Sequence, residues 1–407
     1  MGHTTAAPAT GGGDDRTGTL PDEILHHVLS FLPAPEAVRT CVLGRRWTHL
    51  WKRTTALRIG GGEREPAPAP PFEATREFVD NFLLLRGGSP LHTFELRVPG
   101  AAVDVPRVRL WIRHAVLCRV RVLRLNVVGA SPARLPPEDL PLASPELTRI
   151  ELSGLVFNDS FLDFSRCPSL QHLRIDTCGF MHAKRISSPS LKHLCITNGI
   201  FSVNCRTRIH APSLVSLQLQ VFYGRTPVLE DTPCLVLAAV TMGHRCADVG
   251  AATGDESLDG WRQDGSSCVL LQGLSQVKNL WLTAAAEMLL FRRDLKWCPT
   301  FWQLKILMLN EYWCVPDVQL LACVLEHSPV LEELCLLLFS KEHKYNVEMR
   351  GSFHPKELSS TISAHLKRVE VKCELVDDRV LEVLKLLTRF NICFSSLFRN
   401  DEILSCI

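Results

Sequence analysis

One local pattern recurs through the middle of this chain and limits what it can build: a proline followed two residues later by a leucine. It occurs in Ser144-Pro145-Glu146-Leu147, Cys167-Pro168-Ser169-Leu170, Ser188-Pro189-Ser190-Leu191, Ala211-Pro212-Ser213-Leu214 and Thr232-Pro233-Cys234-Leu235, with the prolines 23, 21, 23 and 21 residues apart. The first four continue into L-x-x-L-x-L runs: Leu147, Ile150, Leu152; Leu170, Leu173, Ile175; Leu191, Leu194, Ile196; Leu214, Leu217, Leu219. Alternating apolar residues over so short a run read as a strand with one face buried. A proline at the strand's start loses no ladder hydrogen bond. A unit of this size cannot bury its own apolar face, so neighbouring units must stack and share a core. The pattern predicts one strand per repeat, a parallel sheet and an α/β fold class.

The period lies within the range of leucine-rich repeats. Less regular units flank the five. Trp111 to Val116 followed by Leu123, Leu125 and Val127 reads as a first helix and strand. Val277, Leu280, Leu282; Leu304, Leu307, Leu309; and Leu331, Leu334, Leu336, after Ser328-Pro329, supply later strands. Residues 365–373, HLKRVEVKC, and then Val376 to Leu387, read as a closing strand and helix. The repeats are expected over 73–364, interrupted at 244–268 by a Gly-, Asp- and Ser-rich loop carrying a single large aromatic, Trp261.

From Leu20 to Trp51 the pattern is helical. Pro21 suits a first helical position, and Asp22 and Glu23 place negative charge at the positive end of the dipole. Ile24, Leu25, Val28, Leu29 and Leu32 follow as a broad apolar stripe ended by Pro33. Pro35 and Glu36 open a second helix with Val38, Val42 and Leu43, and a third short turn carries Arg45, Arg46, Trp47, Leu50 and Trp51. Some thirty residues are too few to close a core, so their apolar surface must be covered by a partner or by the solenoid. Residues 60–72, Gly-rich then Pro-rich, read as a stiff spacer or a surface loop.

In order and spacing, Leu20-Pro21-Asp22, Ile24-Leu25, Leu29-Ser30-Phe31-Leu32-Pro33, Ala37-Val38-Arg39-Thr40, Val42-Leu43, Arg45-Arg46-Trp47 and Leu50-Trp51 resemble the F-box motif, that of plant F-box proteins with leucine-rich repeats above all. The resemblance implies a three-helix F-box over 19–59. It also implies binding to the Skp-type adaptor, and through it the cullin, of an SCF ubiquitin ligase. Carried over by position, the adaptor-facing set is Leu20, Pro21, Ile24, Leu25, Val28, Leu29, Leu32, Pro33, Val38, Val42, Leu43 and Trp47, with Trp47, Leu50 and Trp51 also packing on the solenoid. Gly44 stands where the family has a small polar residue. Residues 365–407 resemble the family's FBD-type C-terminal region without its glycine and glutamate signature. A substrate-recognition subunit follows as the leading expectation, with a small-molecule-gated receptor and a non-degradative scaffold as alternatives. Aspartate at Leu29 and Leu32 is then expected to abolish adaptor binding alone, and a cut before residue 60 to leave a soluble solenoid.

Composition narrows the partners. A net charge of +2 over 407 residues gives no global attraction to nucleic acid or membrane. The one basic cluster, Arg107, Arg109, Arg113, Arg119, Arg121 and Arg124, alternates with apolar residues and reads as a solvated face. No P-loop, HExxH, G-x-S-x-G or EF-hand signature is present, the histidines are dispersed, and neither enzyme chemistry nor a cofactor or metal is expected. The sixteen cysteines never come closer than nine residues and read as reduced, buried thiols, which favours an intracellular compartment, nucleus or cytoplasm. Residues 1–18 read as a disordered tail without a secretory core.

Overall fold

The computed structural model describes residues 20–60, 71–100, 104–129, 133–134, 142–158, 162–246, 269–284, 298–314, 318–339, 365–373, 376, 378–389 and 396–398. The tail 1–18, most of the 60–72 and 244–268 segments with Trp261, and most of the chain beyond 389 lie outside them.

Among the described residues, thirteen strands stand side by side in chain order, all parallel. They are Ala56–Ile59, Thr93–Pro99, Val122–Val128, Arg149–Ser153, His172–Asp176, His193–Thr197, Ser216–Gly224, Leu237–Cys246, Asn279–Ala284, Ile306–Asn310, Glu333–Leu338, Arg368–Cys373 and Ser396–Phe398. Every leucine, isoleucine and valine assigned above to a repeat from Leu147 to Leu336 is buried. The register explains why: Leu123, Ile150, Leu173, Leu194, Leu217, Ala238, Leu280, Leu307, Leu334 and Val369 are successive cross-strand partners and form one apolar row through the stack. Two helices, α1 (Asp22–Leu29) and α2 (Ala34–Arg39), precede the first strand, and others lie in the longer connections: α3 (Phe72–Arg86), α4 (Val105–Leu117), α5 (Val269–Gly273), α6 (Glu311–Cys314), α7 (Val318–Glu326) and α8 (Asp378–Arg389).

The middle repeats depart from the expected single strand. Leu155–Asn158, Gly179–His182 and Ile200–Phe201 form a second parallel ladder, and Arg185–Ser187, Arg208–His210 and Val228–Glu230 a third sheet. A repeat of 21 to 23 residues has no room for a helix after its first strand, so its backbone groups are satisfied by the repeats above and below. The turns that fold each repeat back sit at Gly154, Thr177 and Asn198, all with positive φ and spaced 23 and 21 apart like the prolines. Only glycine serves at 154, where a Cβ would lie 2.0 Å from the Val127 carbonyl oxygen. His244 to Cys246, placed in the loop above, instead finish the strand Leu237–Cys246.

The N-terminal segment docks on the first repeat rather than standing apart. Ala56–Ile59, assigned above to the F-box, is the first strand of the main sheet and pairs with Thr93–Pro99. The 60–72 segment therefore joins a strand to α3, within the solenoid, and does not space the F-box from it. Leu25, Leu29, Ala34, Ala37, Leu50 and Trp51 are buried in the same core as the repeats. Trp51 meets Phe82 of α3 with ring centroids 4.9 Å apart. Arg86, buried at the end of α3, reaches the Thr54 hydroxyl at 3.4 Å and the Pro90 carbonyl at 2.6 Å, and burial lowers its pKa to about 10. The expected second helix ends at Arg39 and passes into a 3-10 turn, Thr40–Leu43, and the expected third is two 3-10 turns, Arg45–Thr48 and Leu50–Arg53.

Candidate functional site

The broad stripe of the first helix resolves into two faces. Residues one apart on a helix point about 100° apart, so Leu25, Leu29 and Leu32 form one row and Ile24, Val28 and Phe31 the next. The first row turns inward: Leu25 and Leu29 are 2% and 1% exposed, and Leu32 packs half-buried against the core. The second faces solvent, with Ile24 47% and Val28 50% exposed.

Of the twelve residues expected to meet an adaptor, Leu20, Pro21, Ile24, Val28, Val42 and Leu43 are exposed. Leu32, Pro33, Val38 and Trp47 are half-buried. Leu25 and Leu29 are taken up by the chain's own core and leave the docking set: an aliphatic side chain already covered has no surface to offer. Phe31, passed over from the sequence, belongs with the exposed set; its place three residues after Val28 is the signal. Val42, 87% exposed, and Leu43 stand in water on the first 3-10 turn, Thr40–Leu43. Arg46, in the next 3-10 turn, Arg45–Thr48, fixes its own turn against the helix start, its Nε donating to Asp22 Oδ1 at 2.9 Å and its Nη2 bonding the Leu20 carbonyl.

The second surface is the open face of the main sheet. Alternation turns every second side chain outward, and parallel register lines these up. One row runs Arg58, Glu95, Arg124, Glu151, Arg174 and continues Cys195, Gln218, Ala239, Trp281, Met308, Cys335, Glu370. Its first five positions alternate in charge. Glu95 lies 3.5 Å from Arg58 and 3.4 Å from Arg124, and Arg124 lies 3.0 Å from Glu151. Arg124 is thus held between carboxylates of the flanking strands, not left on a solvated face as the basic cluster suggested. The following stretch from Cys195 to Cys335 carries no charge.

A cavity of about 440 Å³ opens over the charged part, lined by Glu95, Arg97, Arg124, Glu151, Arg174 and Asp176 among others. Beside it, the imidazoles of His172 and His193 stack with centroids 4.6 Å apart. Burial first, then His193, Arg149 and Lys192, hold the His172 imidazole below its ordinary pKa.

A sequence signal also passed over is Cys323-x3-His327, which α7 brings together with Cys298 from the preceding repeat. Among the described residues, no helix is long and apolar enough to cross a membrane.

Comparison with known proteins agrees with this architecture. The F-box domain family matches residues 19–55. The meiotic F-box protein MOF of Oryza sativa subsp. japonica is 31% identical over 401 residues, covering 88% of this chain and 80% of that protein. An F-box/FBD/LRR-repeat protein of Arabidopsis thaliana is 27% identical, covering 86% and 82%, and a putative FBD-associated F-box protein of the same plant is 25% identical, covering 91% of each. An F-box at one end, a parallel leucine-rich solenoid through the rest and plant F-box relatives aligned over most of their length, one of them named for its leucine-rich repeats, establish that the chain belongs to the plant F-box proteins with leucine-rich repeats.

Proposed function

We propose that this chain is the substrate-recognition subunit of an SCF-type cullin-RING ubiquitin ligase. Its exposed helical face docks on a Skp-type adaptor, and the open sheet face holds a target protein. The observation that carries this reading is the split of one short amphipathic segment into a buried and an exposed apolar row. Leu20, Ile24, Val28, Phe31, Val42 and Leu43 are six large apolar side chains left in water on a segment of two dozen residues, and exposed apolar surface concentrated in this way supports a protein interface.

The sheet face supports the second half of the reading. Its charged row alternates in sign, which suits a target segment able to exchange ion pairs with Arg124, Glu151 and Arg174 and to lay apolar side chains near Trp281 and Met308. The chain's contribution to ubiquitin transfer is proximity, which in well-oriented cases supplies on the order of 7 to 11 kcal/mol of a barrier. No residue of this chain has to touch the reacting atoms.

The test is a reconstituted ligase. A protein captured by the full chain in the presence of a proteasome inhibitor is expected to become ubiquitinated when adaptor, cullin, RING subunit and conjugating enzyme are supplied, and to stay unmodified when the adaptor is omitted. A partner that binds stably but is never modified favours a non-degradative scaffold. The cavity over the charged row, within the roughly 300–1,000 Å³ typical of ligand pockets, gives a second reading, gating by a small polar molecule; a metabolite that raises the melting temperature and strengthens target capture would favour it.

A further inference from the structure

We propose that Cys298, Cys323 and His327 form a binding site for a zinc-class metal ion that fastens two successive repeats together. Their ligand atoms all lie within 4.8 Å of one another. Cys323 lies in the last turn of α7 and His327 one residue beyond its end, four apart, so both side chains leave the helix on the same side. Cys298 comes from the segment that leads into the preceding strand, Ile306–Asn310.

The two segments are held in place by backbone, independently of any ion. The Phe301 amide donates to the His327 carbonyl at 2.7 Å, and the His327 amide to the Cys323 carbonyl at 3.1 Å. Cys323 is buried, and Cys298 and His327 are half-buried, so a cation would sit at the edge of the core with an opening to water.

Zinc bonds sulfur at about 2.3 Å and imidazole nitrogen at about 2.0–2.1 Å, which sets tetrahedral ligand atoms roughly 3.5–3.8 Å apart. Cys323 Sγ and His327 Nδ1 are 3.8 Å apart, and that nitrogen is also 2.8 Å from the Cys323 carbonyl oxygen. With Nδ1 as the ligand, its contact with that carbonyl is exchanged for the bond to the ion. Two sulfurs and one imidazole select a borderline-soft ion over magnesium or calcium. Three protein ligands leave the fourth tetrahedral position to water.

The experiment uses the full chain, stripped of metal and kept reduced, titrated with Zn²⁺ and with Co²⁺. The expected result is one ion per chain, a Co²⁺ spectrum with sulfur-to-metal charge transfer, and a rise in melting temperature on Zn²⁺ addition. Cys298→Ser, Cys323→Ser and His327→Gln should each weaken binding by at least ~100-fold, while Cys205→Ser, outside the cluster, should leave it unchanged. Should Cys323→Ser fail to fold by circular dichroism, the half-buried His327→Gln decides the matter. Absence of a thiolate band, or a band indifferent to all three substitutions, overturns the proposal. So does recovery of a Cys298–Cys323 disulfide from the oxidised chain together with no metal uptake by the reduced one.

Discussion

Aspartate at both Ile24 and Val28 is expected to abolish capture of a Skp-type adaptor by the full chain while leaving its melting temperature where it was. Each is an aliphatic side chain half in water, worth about 1.5–3 kcal/mol when fully buried in an interface, and an unpaired carboxylate in its place adds a desolvation cost. The pair together should remove more than ~4 kcal/mol, about 1,000-fold in affinity. Substitution at such exposed positions usually changes folding stability by no more than about 0.5 kcal/mol. Calorimetric titration against adaptor, with circular dichroism as the folding control, reads both. The inward row must behave oppositely: Leu29→Asp buries a charge in the junction with the solenoid and should lower the melting temperature. The sequence-chosen pair Leu29 and Leu32 would therefore have lost adaptor binding by unfolding the segment, which proves nothing about docking.

Removal of residues 1–60 is expected to yield an aggregating solenoid, the reverse of what the Gly/Pro segment at 60–72 suggested. The cut takes away Leu25, Leu29, Leu50, Trp51, Leu57 and Ile59, all buried, and uncovers Phe82 on α3. It also strips Thr93–Pro99 of its parallel neighbour, leaving a seven-residue strand edge open to pairing with other copies. Size-exclusion chromatography should show the truncated chain in the void volume and the chain lacking only residues 1–18 as a discrete species. A monodisperse, cooperatively melting 61–407 fragment would mean that the F-box and the repeats do not share a core.

Much of the fold was legible in the residues because two signals agreed. The prolines at 145, 168, 189, 212 and 233 set the repeat length, and the leucines behind them marked the buried side of each strand. What the residues did not disclose was what fills the rest of a 21-residue repeat: the short strands Gly179–His182 and Arg185–Ser187 lack a strong alternation and exist because neighbouring repeats offer matching backbone partners. The F-box was legible as a motif but not in its orientation. A stripe at offsets 0, 1, 4, 5 and 8 is wide enough for two contacts, and periodicity alone cannot say which half faces in. The charged row from Arg58 to Arg174 was hidden for a related reason, since residues roughly thirty apart become neighbours only once the register is known.

The N-terminal segment is seated on its own solenoid by one apolar row, and in the proposed function it offers the adjacent row to another protein. Hydrogen exchange of the full chain, alone and saturated with a Skp-type adaptor, tests it directly. Amides of Trp51, Leu57 and Ile59 are expected to be protected in both states, while those of α1 and the turn Thr40–Leu43 gain protection only with adaptor present. Protection gained instead along the sheet strands, or amides near Trp51 and Leu57 that exchange freely in the chain alone, would contradict it.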